Sequence, residues 1–396
     1  MTEWTKVKLG DIATFSNGIN FGKDSYCQGV KLIGVSDFGN RFYPDYSSLQ
    51  EVKTEVVRNN DYLKNGDIVF VRSNGNKELV GRCMLIAGCH PFVTFSGFCI
   101  RARLNDTSKF NPLYFAYHFK NMEFRKAMSG TAVGANIQNL SQGRLAQYET
   151  MVPNIAVQNK IAAILSRYDD LIENYQKQIK LLEEAAQRLY KEWFVDLHFP
   201  GYENVKVVDG VPEGWEKKRL EEFVDITMGQ SPKSIFYNKD GKGLPFHQGV
   251  GSYGNRFVAN ETYTSQYTKI AEANSILFSV RAPVGRLNMT KHKIAIGRGL
   301  AAMKQIDGQQ SYLFYMLKEH FYKDNIIGNG SIFASISKGE LYAETFVVPT
   351  LALRKLFEHK ASEIDEQIKV LDSQLRLLTE ARDRLLPKLM SGEIEV

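Results

Sequence analysis

Residues 181–194 read LLEEAAQRLYKEWF, and residues 377–390 read LLTEARDRLLPKLM. Leu181, Leu182, Glu184, Ala185, Arg188 and Leu189 return as Leu377, Leu378, Glu380, Ala381, Arg384 and Leu385, each 196 positions further on. Around the first copy, apolar or aromatic residues fall at Ile161, Leu165, Tyr168, Ile172, Tyr175, Ile179, Leu182, Ala186, Leu189 and Trp193. Steps that alternate four and three mark a coiled-coil seam. The second seam runs Phe357, Ala361, Ile364, Ile368, Leu371, Leu375, Leu378, Arg382, Leu385 and Leu389, broken only by Arg382. Asn154 and Thr350, again 196 apart and each following a proline, are the expected N-caps. The first helix should end before Pro200-Gly201. The second should be interrupted by Pro387 and close at Gly392.

The repeat continues upstream. Met151-Val152-Pro153 matches Val347-Val348-Pro349, and Ser141, Gly143 and Leu145 match Ser337, Gly339 and Leu341, all at 196. Val80-Gly81-Arg82 matches Val284-Gly285-Arg286 at 204, Arg72 matches Arg281 at 209, and Trp4 and Leu9 match Trp215 and Leu220 at 211. An offset that drifts in this way is what small loop insertions in one copy produce. Two copies make a tandem duplication; a solenoid needs about three repeats or more.

Each copy opens with a mixed α+β segment. NGDIVFVRS (65–73) and NSILFSVRA (274–282) are apolar, β-branched runs bounded by Asn, Gly and Ser, so strands. NPLYFAYHFKNMEFRKAM (111–128) reads as a helix capped by Asn111 with Pro112 in its first turn, and SYLFYMLKEHFYK (311–323) is its counterpart. Gly- and Asn-rich loops lie between: SNGNKE, SGTAVGANIQ, HQGVGSYGNR and IGNGSIF. The boundaries that follow are 1–153 for the first domain, 154–198 for the first long helix, 199–349 for the second domain and 350–396 for the second helix. Each seam needs a partner, and the chain holds two that match. Packed antiparallel they form a rod of about 36 residues, roughly 54 Å at 1.5 Å per residue, with a domain near each end and a pseudo-two-fold relation. Separate protein partners for each helix are the alternative; the equal lengths and constant offset favour mutual packing.

Composition sets the class. The 396 residues carry 50 basic and 44 acidic side chains, a formal charge of +6, which permits nucleic-acid binding without requiring it. The start, MTEWTKVKLG, lacks an apolar signal core, and no apolar run approaches the roughly 18 residues of a membrane span, so a cytoplasmic protein is expected. Cys27, Cys83, Cys89 and Cys99 form no CxxC pair; they read as small apolar strand residues in preference to a zinc set with His90.

Two similar readers on a stiff ruler suit duplex DNA, where symmetric proteins contact half-sites about 34–36 Å apart or multiples of that. Here the chain resembles the specificity subunits of type I restriction–modification systems, a prokaryotic defence. The resemblance is carried by Gly214-Trp215 with Leu220, SVRAPVGR (279–286), IGRGL (296–300), RLYKEWFVDLHFPGY (188–202) and LLPKLMSGEI (385–394), and it covers the whole chain. It implies that the globular parts are target recognition domains and the helices a spacer that docks two methyltransferase subunits. It also implies that translocating restriction subunits join the assembly and that this chain is itself non-catalytic. The alternative is a two-lobed scaffold joining two proteins without touching DNA.

Other motifs carry little. GVGSYG (249–254) matches GxGxxG but is followed by the strand-like NRFVANETYTS. NPLY (111–114) is like a methyltransferase NPPY loop but sits at a helix start. Pro44-Asp45 with Glu51-Val52-Lys53 imitates a nuclease site with only five residues between the carboxylates and no equivalent in the second half. There is no P-loop and no HExxH. No cofactor, metal or catalytic residue is therefore expected.

Base edges are read by Arg, Lys, Asn or Gln, and phosphates are held by Lys, Arg or backbone N–H. The candidates are Arg72, Asn74, Asn76, Lys77, Arg82, Asn136 and Gln138 in the first domain, and Lys233, Gln248, Asn255, Arg256, Arg281, Arg286 and Arg298 in the second. Because Arg72 and Arg281 match in the repeat, a shared framework or phosphate role is expected of them. Tyr190, Trp193 and Phe194 exceed what one seam needs and are candidate anchors for a methyltransferase.

Overall fold

The computed structural model describes residues 4–39, 42–74, 79–88, 92–129, 138–321 and 335–396, with the backbone alone at Ser129 and Gln138. The chain divides into two compact units, Met1–Ile172 with Leu377–Val396, and Glu173–Arg376. Each unit thus holds one mixed domain and a stretch of both long helices.

The two domains share a sheet plan. In the first unit a four-stranded antiparallel sheet runs in the order Ala13–Asn17, Cys99–Leu104, Ile68–Val71, Cys83–Leu85. In the second the order is Val224–Met228, Leu300–Gln305, Ile276–Ser279, Leu287–Met289. Counted along the chain, both read first, fourth, second, third. The central strands are the expected apolar runs, Ile68–Val71 and Ile276–Ser279, buried throughout because the sheet is covered on both faces. Ile68 and Phe70 join one core while Val69 and Val71 join another; Ile276 and Phe278 are likewise separated from Leu277. A left-handed residue leads into each strand, Gly66 at φ +91° and Asn274 at φ +60°. Gly and Asn are the residues that enter this region at low cost. A second layer holds a parallel pair in each domain, Lys31–Ile33 beside Val93–Phe95, and Phe246–His247 beside Ala295–Ile296.

Asn111 caps its helix as expected, its side chain accepting from the N–H groups of Leu113 and Tyr114. The 111–128 segment is two helices, however, Pro112–Lys120 and Met122–Ser129, because Asn121 between them takes extended backbone (φ −62°, ψ 142°). The counterpart runs from Gln310 to Phe321. Tyr114, Tyr117 and Lys120 of the first helix correspond to Tyr312, Tyr315 and Lys318 of the second, 198 positions on.

The long helices span Ile155–Phe194 and Leu351–Ser391. Asn154 and Thr350 do cap them, accepting from Val157 N–H at 3.1 Å and Leu353 N–H at 3.4 Å. Within each unit the helices run antiparallel. In the second, Tyr190 and Trp193 meet Phe357 (ring centroids 5.9 Å apart in both cases), while Gln178 and Leu182 border Gln367 and Leu371. In the first, Asp169 meets Arg382, and Ile161 and Leu165 share a core with Leu389 and Met390. The expected interruption at Pro387 does not occur; the helix continues to Ser391. The proline forfeits a backbone hydrogen bond, but Leu389 and Met390 beyond it are buried and hold the last turn. Gly392 closes the helix at φ +75°, packed so near the Trp4 indole that an added Cβ would lie 3.1 Å from it.

Candidate nucleic-acid interface

In the second domain three backbone segments converge at glycines. Gly229 N–H donates to Leu300 O, Gly297 N–H to His247 O and Gly299 N–H to Gln248 O, at 2.8–3.1 Å. A Cβ on Gly229 would lie 2.1 Å from Gly297 O, and one on Gly299 2.4 Å from Gln248 O. Only glycine permits that approach, and it fixes the backbone of the intervening Arg298, whose N–H donates to Ser231 Oγ at 3.2 Å. The hairpin after Ile276–Ser279 is locked by one hydroxyl: Ser279 Oγ donates to Pro283 O at 2.6 Å and accepts from Arg286 N–H at 2.8 Å. This presents Arg281. Beneath, buried His247 holds the 247–260 loop through Ser252 Oγ (2.8 Å) and Asn260 Oδ1 (3.0 Å). Burial lowers the imidazole's proton affinity, opposed by the Asn260 hydrogen bond.

These elements bring three of the anticipated residues together. Gln248, Arg281 and Arg298, all exposed, line one concavity of about 180 Å³ floored by Gly249, Ser279 and Gly299. Among the described residues, neither the Arg281 nor the Arg298 guanidinium has an ion-pair or hydrogen-bond partner. Lys233 and Asn255 are exposed and Arg286 half-buried, none of them lining this concavity.

Arg256 is a correction. It is 1% exposed, with Nη2 donating to Asp365 Oδ1 at 2.7 Å, Nη1 at 3.8 Å from Glu183, and its guanidinium 3.3 Å from the centre of the Phe314 ring. A guanidinium so enclosed is not offered to a base. It neutralises helix carboxylates that burial would otherwise leave costly.

In the first domain the Arg72 guanidinium donates to Gly97 O at 3.2 Å and Arg82 to Gly39 O at 2.8 Å, both half-buried. Asn74 lies in a two-residue strand against Gln138–Asn139. Asn76, Lys77 and Asn136 lie outside the described residues. The sheet register also moves the expected match of arginines. Val71 pairs with Cys99 and Ser279 with Leu300. Arg72 N–H donates to Phe98 O and its carbonyl accepts from Leu140; Val280 makes the same two bonds, to Gly299 and from Ile336. Arg72 therefore corresponds to Val280, and Arg281 to Ser73.

Of the aromatic anchor candidates, Tyr190 and Trp193 are buried in the second unit, and Phe194 is half-buried, packing on Trp215, Tyr312 and Phe357 at 5.2–6.0 Å. Each Leu-Leu doublet puts its second leucine in a seam and its first outward: Leu181 is 64% exposed and Leu377 57%. Leu181 borders a groove of about 820 Å³ with Leu182, Gln367 and Val370.

The residues that imitated catalytic motifs are structural. Asn111 is a cap. Asp45 accepts from Ser47, and Glu51 from Gly29 N–H, which with neighbouring Lys31 holds its carboxyl below the usual range despite some burial. Cys83 and Cys99 are free and buried in strands. Among the described residues no group of three His, Cys, Asp or Glu could hold a metal ion, and no helix is long and apolar enough to cross a membrane.

The fold is thus a duplicated α+β domain on paired long helices, with exposed arginines on a loop concavity of the second domain. The family model described as the type I restriction modification DNA specificity domain matches residues 1–184 and 212–371. The chain belongs to that family of non-catalytic specificity subunits, the DNA-specificity component of a type I restriction–modification complex. It is 32% identical, over 84% of its length and 79% of the relative's, to the chain named as the MjaX type I restriction enzyme specificity subunit of Methanocaldococcus jannaschii. It is 23% identical to the HindI specificity subunit of Haemophilus influenzae over the full length of both. The crystal structure of the S subunit from M. genitalium superposes with a TM-score of 0.61 at 17% identity, covering 98% of this chain and 96% of that one, which is a likeness of fold.

Proposed function

We propose that each globular domain reads one half of a bipartite duplex site, and that the paired helices set the unread gap and dock methyltransferase subunits, two in number, with restriction/translocase subunits joining them. The observation that carries this is one sheet order written twice with different residues at matching loop positions, Arg281 against Ser73 and Arg298 against Gly97. A shared frame with changed side chains suits two readers of different sequence. The exposed Leu181 and Leu377, at equivalent repeat positions, support two like docking surfaces for two copies of one partner.

A random-duplex selection with the tagged chain and whatever co-purifies from its host tests this. A two-part motif with a fixed gap is expected. Removing seven residues from within 165–186, together with the matching seven from the second helix, keeps both seams in phase and should shorten the gap. An unaltered gap in a folded variant would sink the ruler. A chain that binds its partners but shows no salt-dependent duplex affinity would instead be a protein scaffold, since phosphate contacts impose a steep salt slope.

A further inference from the structure

The concavity of the second domain carries more than general DNA affinity. We infer that Arg281 and Arg298 are base readers, and that the half-site of the second domain contains a guanine recognised by them, with Gln248 beside them suited to an adjacent adenine. This rests on the two-reader proposal and names part of its target.

Three observations converge. Both guanidinium groups are exposed and unpartnered among the described residues, so their donors are available. Both backbones are held, Arg281 by the Ser279 hydroxyl that closes its hairpin, Arg298 by glycines that admit no Cβ. A preorganised side chain loses less entropy on forming a specific contact. Finally, the pair belongs to one copy alone, since the matching positions of the first domain are Ser73 and Gly97. Phosphates are the same under every half-site, so a backbone contact has no reason to differ between two copies of one frame. A base contact must differ. Guanine O6 and N7 are the acceptors that arginine's fork matches in the major groove, and adenine N6 and N7 suit a glutamine amide.

The test is the same selection on the full chain with its co-purified partners, comparing wild type with Arg281→Ala and Arg298→Ala. At least one variant should lose preference for guanine at a single base pair of one half-site, by about 5- to 150-fold. The other half-site, the gap and the melting temperature should stay unchanged. Affinity that falls equally on every duplex, with a shallower salt slope, would make these phosphate contacts and overturn the assignment. A half-site without any G·C pair, unchanged preference in both variants, or a lowered melting temperature would overturn it too. In each of those cases the wild-type two-part motif survives. A wild type that selects no motif removes the two-reader proposal itself.

Discussion

Asp169 and Asp365, 196 residues apart on the two long helices, occupy matching clamps. Asp169 accepts from Tyr117 Oη at 2.6 Å and Asp365 from Tyr315 Oη at 2.7 Å, each tyrosine lying on the helix of the same unit's domain. Each aspartate also meets an arginine, but of different origin. Asp169 is paired by Arg382 of the second long helix, and Asp365 by Arg256 of the 247–260 loop. The one residue that breaks the second seam is therefore there to neutralise a carboxylate. Its counterpart on the first helix, 196 positions back, is Ala186, fully buried and apolar.

The clamp of the first unit can be dissected by a double-mutant cycle. Removing one partner of a buried pair leaves an uncompensated charge, at about 3–5 kcal/mol when fully buried. Arg382 keeps about a quarter of its side chain in solvent, so Arg382→Met is expected to cost about 2 kcal/mol. Asp169→Asn with Arg382→Met should recover most of that loss, because the one carboxylate then left without its arginine, Asp383, is exposed to solvent. Tyr117→Phe should cost about 1.5–3 kcal/mol, the range for a hydrogen bond to a charged group. Urea unfolding of the first unit measures all three; a double variant no better than the single would show that the pair is not coupled.

Arg256 should behave as a buried structural cation. Arg256→Ala leaves Asp365 with only the Tyr315 hydroxyl and Glu183 with only Lys318 at 3.8 Å, and it removes the stack on Phe314, for an expected loss of about 3–5 kcal/mol from the second unit. Arg256→Lys keeps the charge but not the planar face or fork, and should recover only part of this. Calorimetry of the second unit's transition checks the order wild type, lysine, alanine. If instead the alanine variant melts normally and loses preference at a single base pair, Arg256 is a reader after all.

The sequence was most readable where a signal is local. Seam spacing gave both long helices, Asn154 and Thr350 marked their starts, and the IVFV and ILFS runs became central strands, because period, cap and strand propensity act within a few residues. The failures are long-range. Arg256 stands in a Gly- and Asn-rich loop like any reading residue, and its partner Asp365 is 109 positions away. Phe194 looked surplus because Trp215, Tyr312 and Phe357, which surround it, come from other elements. The match of Arg72 with Arg281 rested on the letter R, and sheet register corrected it by one residue. Leu181 was legible, since a second leucine beside a seam leucine has to point elsewhere.

His118 gives the first unit a dependence on acid at a position where the second holds a methionine. The residue is 6% exposed among Tyr114, Phe115, Phe119, Phe124 and Tyr148, and among the described residues neither ring nitrogen has a hydrogen-bond partner. Burial lowers the imidazole's pKa to about 4. The position 198 residues on holds Met316. The unfolded chain takes up the proton near pH 6.5 and the folded one only near 4. Stability from the neutral ring is thus present above pH 6.5 and is lost as pH falls from 6.5 towards 4. The slope approaches about 1.4 kcal/mol per pH unit, on the order of 3 kcal/mol across the window. His118→Met writes the second domain's solution into the first. Unfolding free energies of wild type and variant at pH 7.5 and pH 5 should differ by about 2 kcal/mol more at the lower pH, carboxylate titrations cancelling in the comparison. Parallel pH curves for the two proteins would mean that His118 is protonated in the fold.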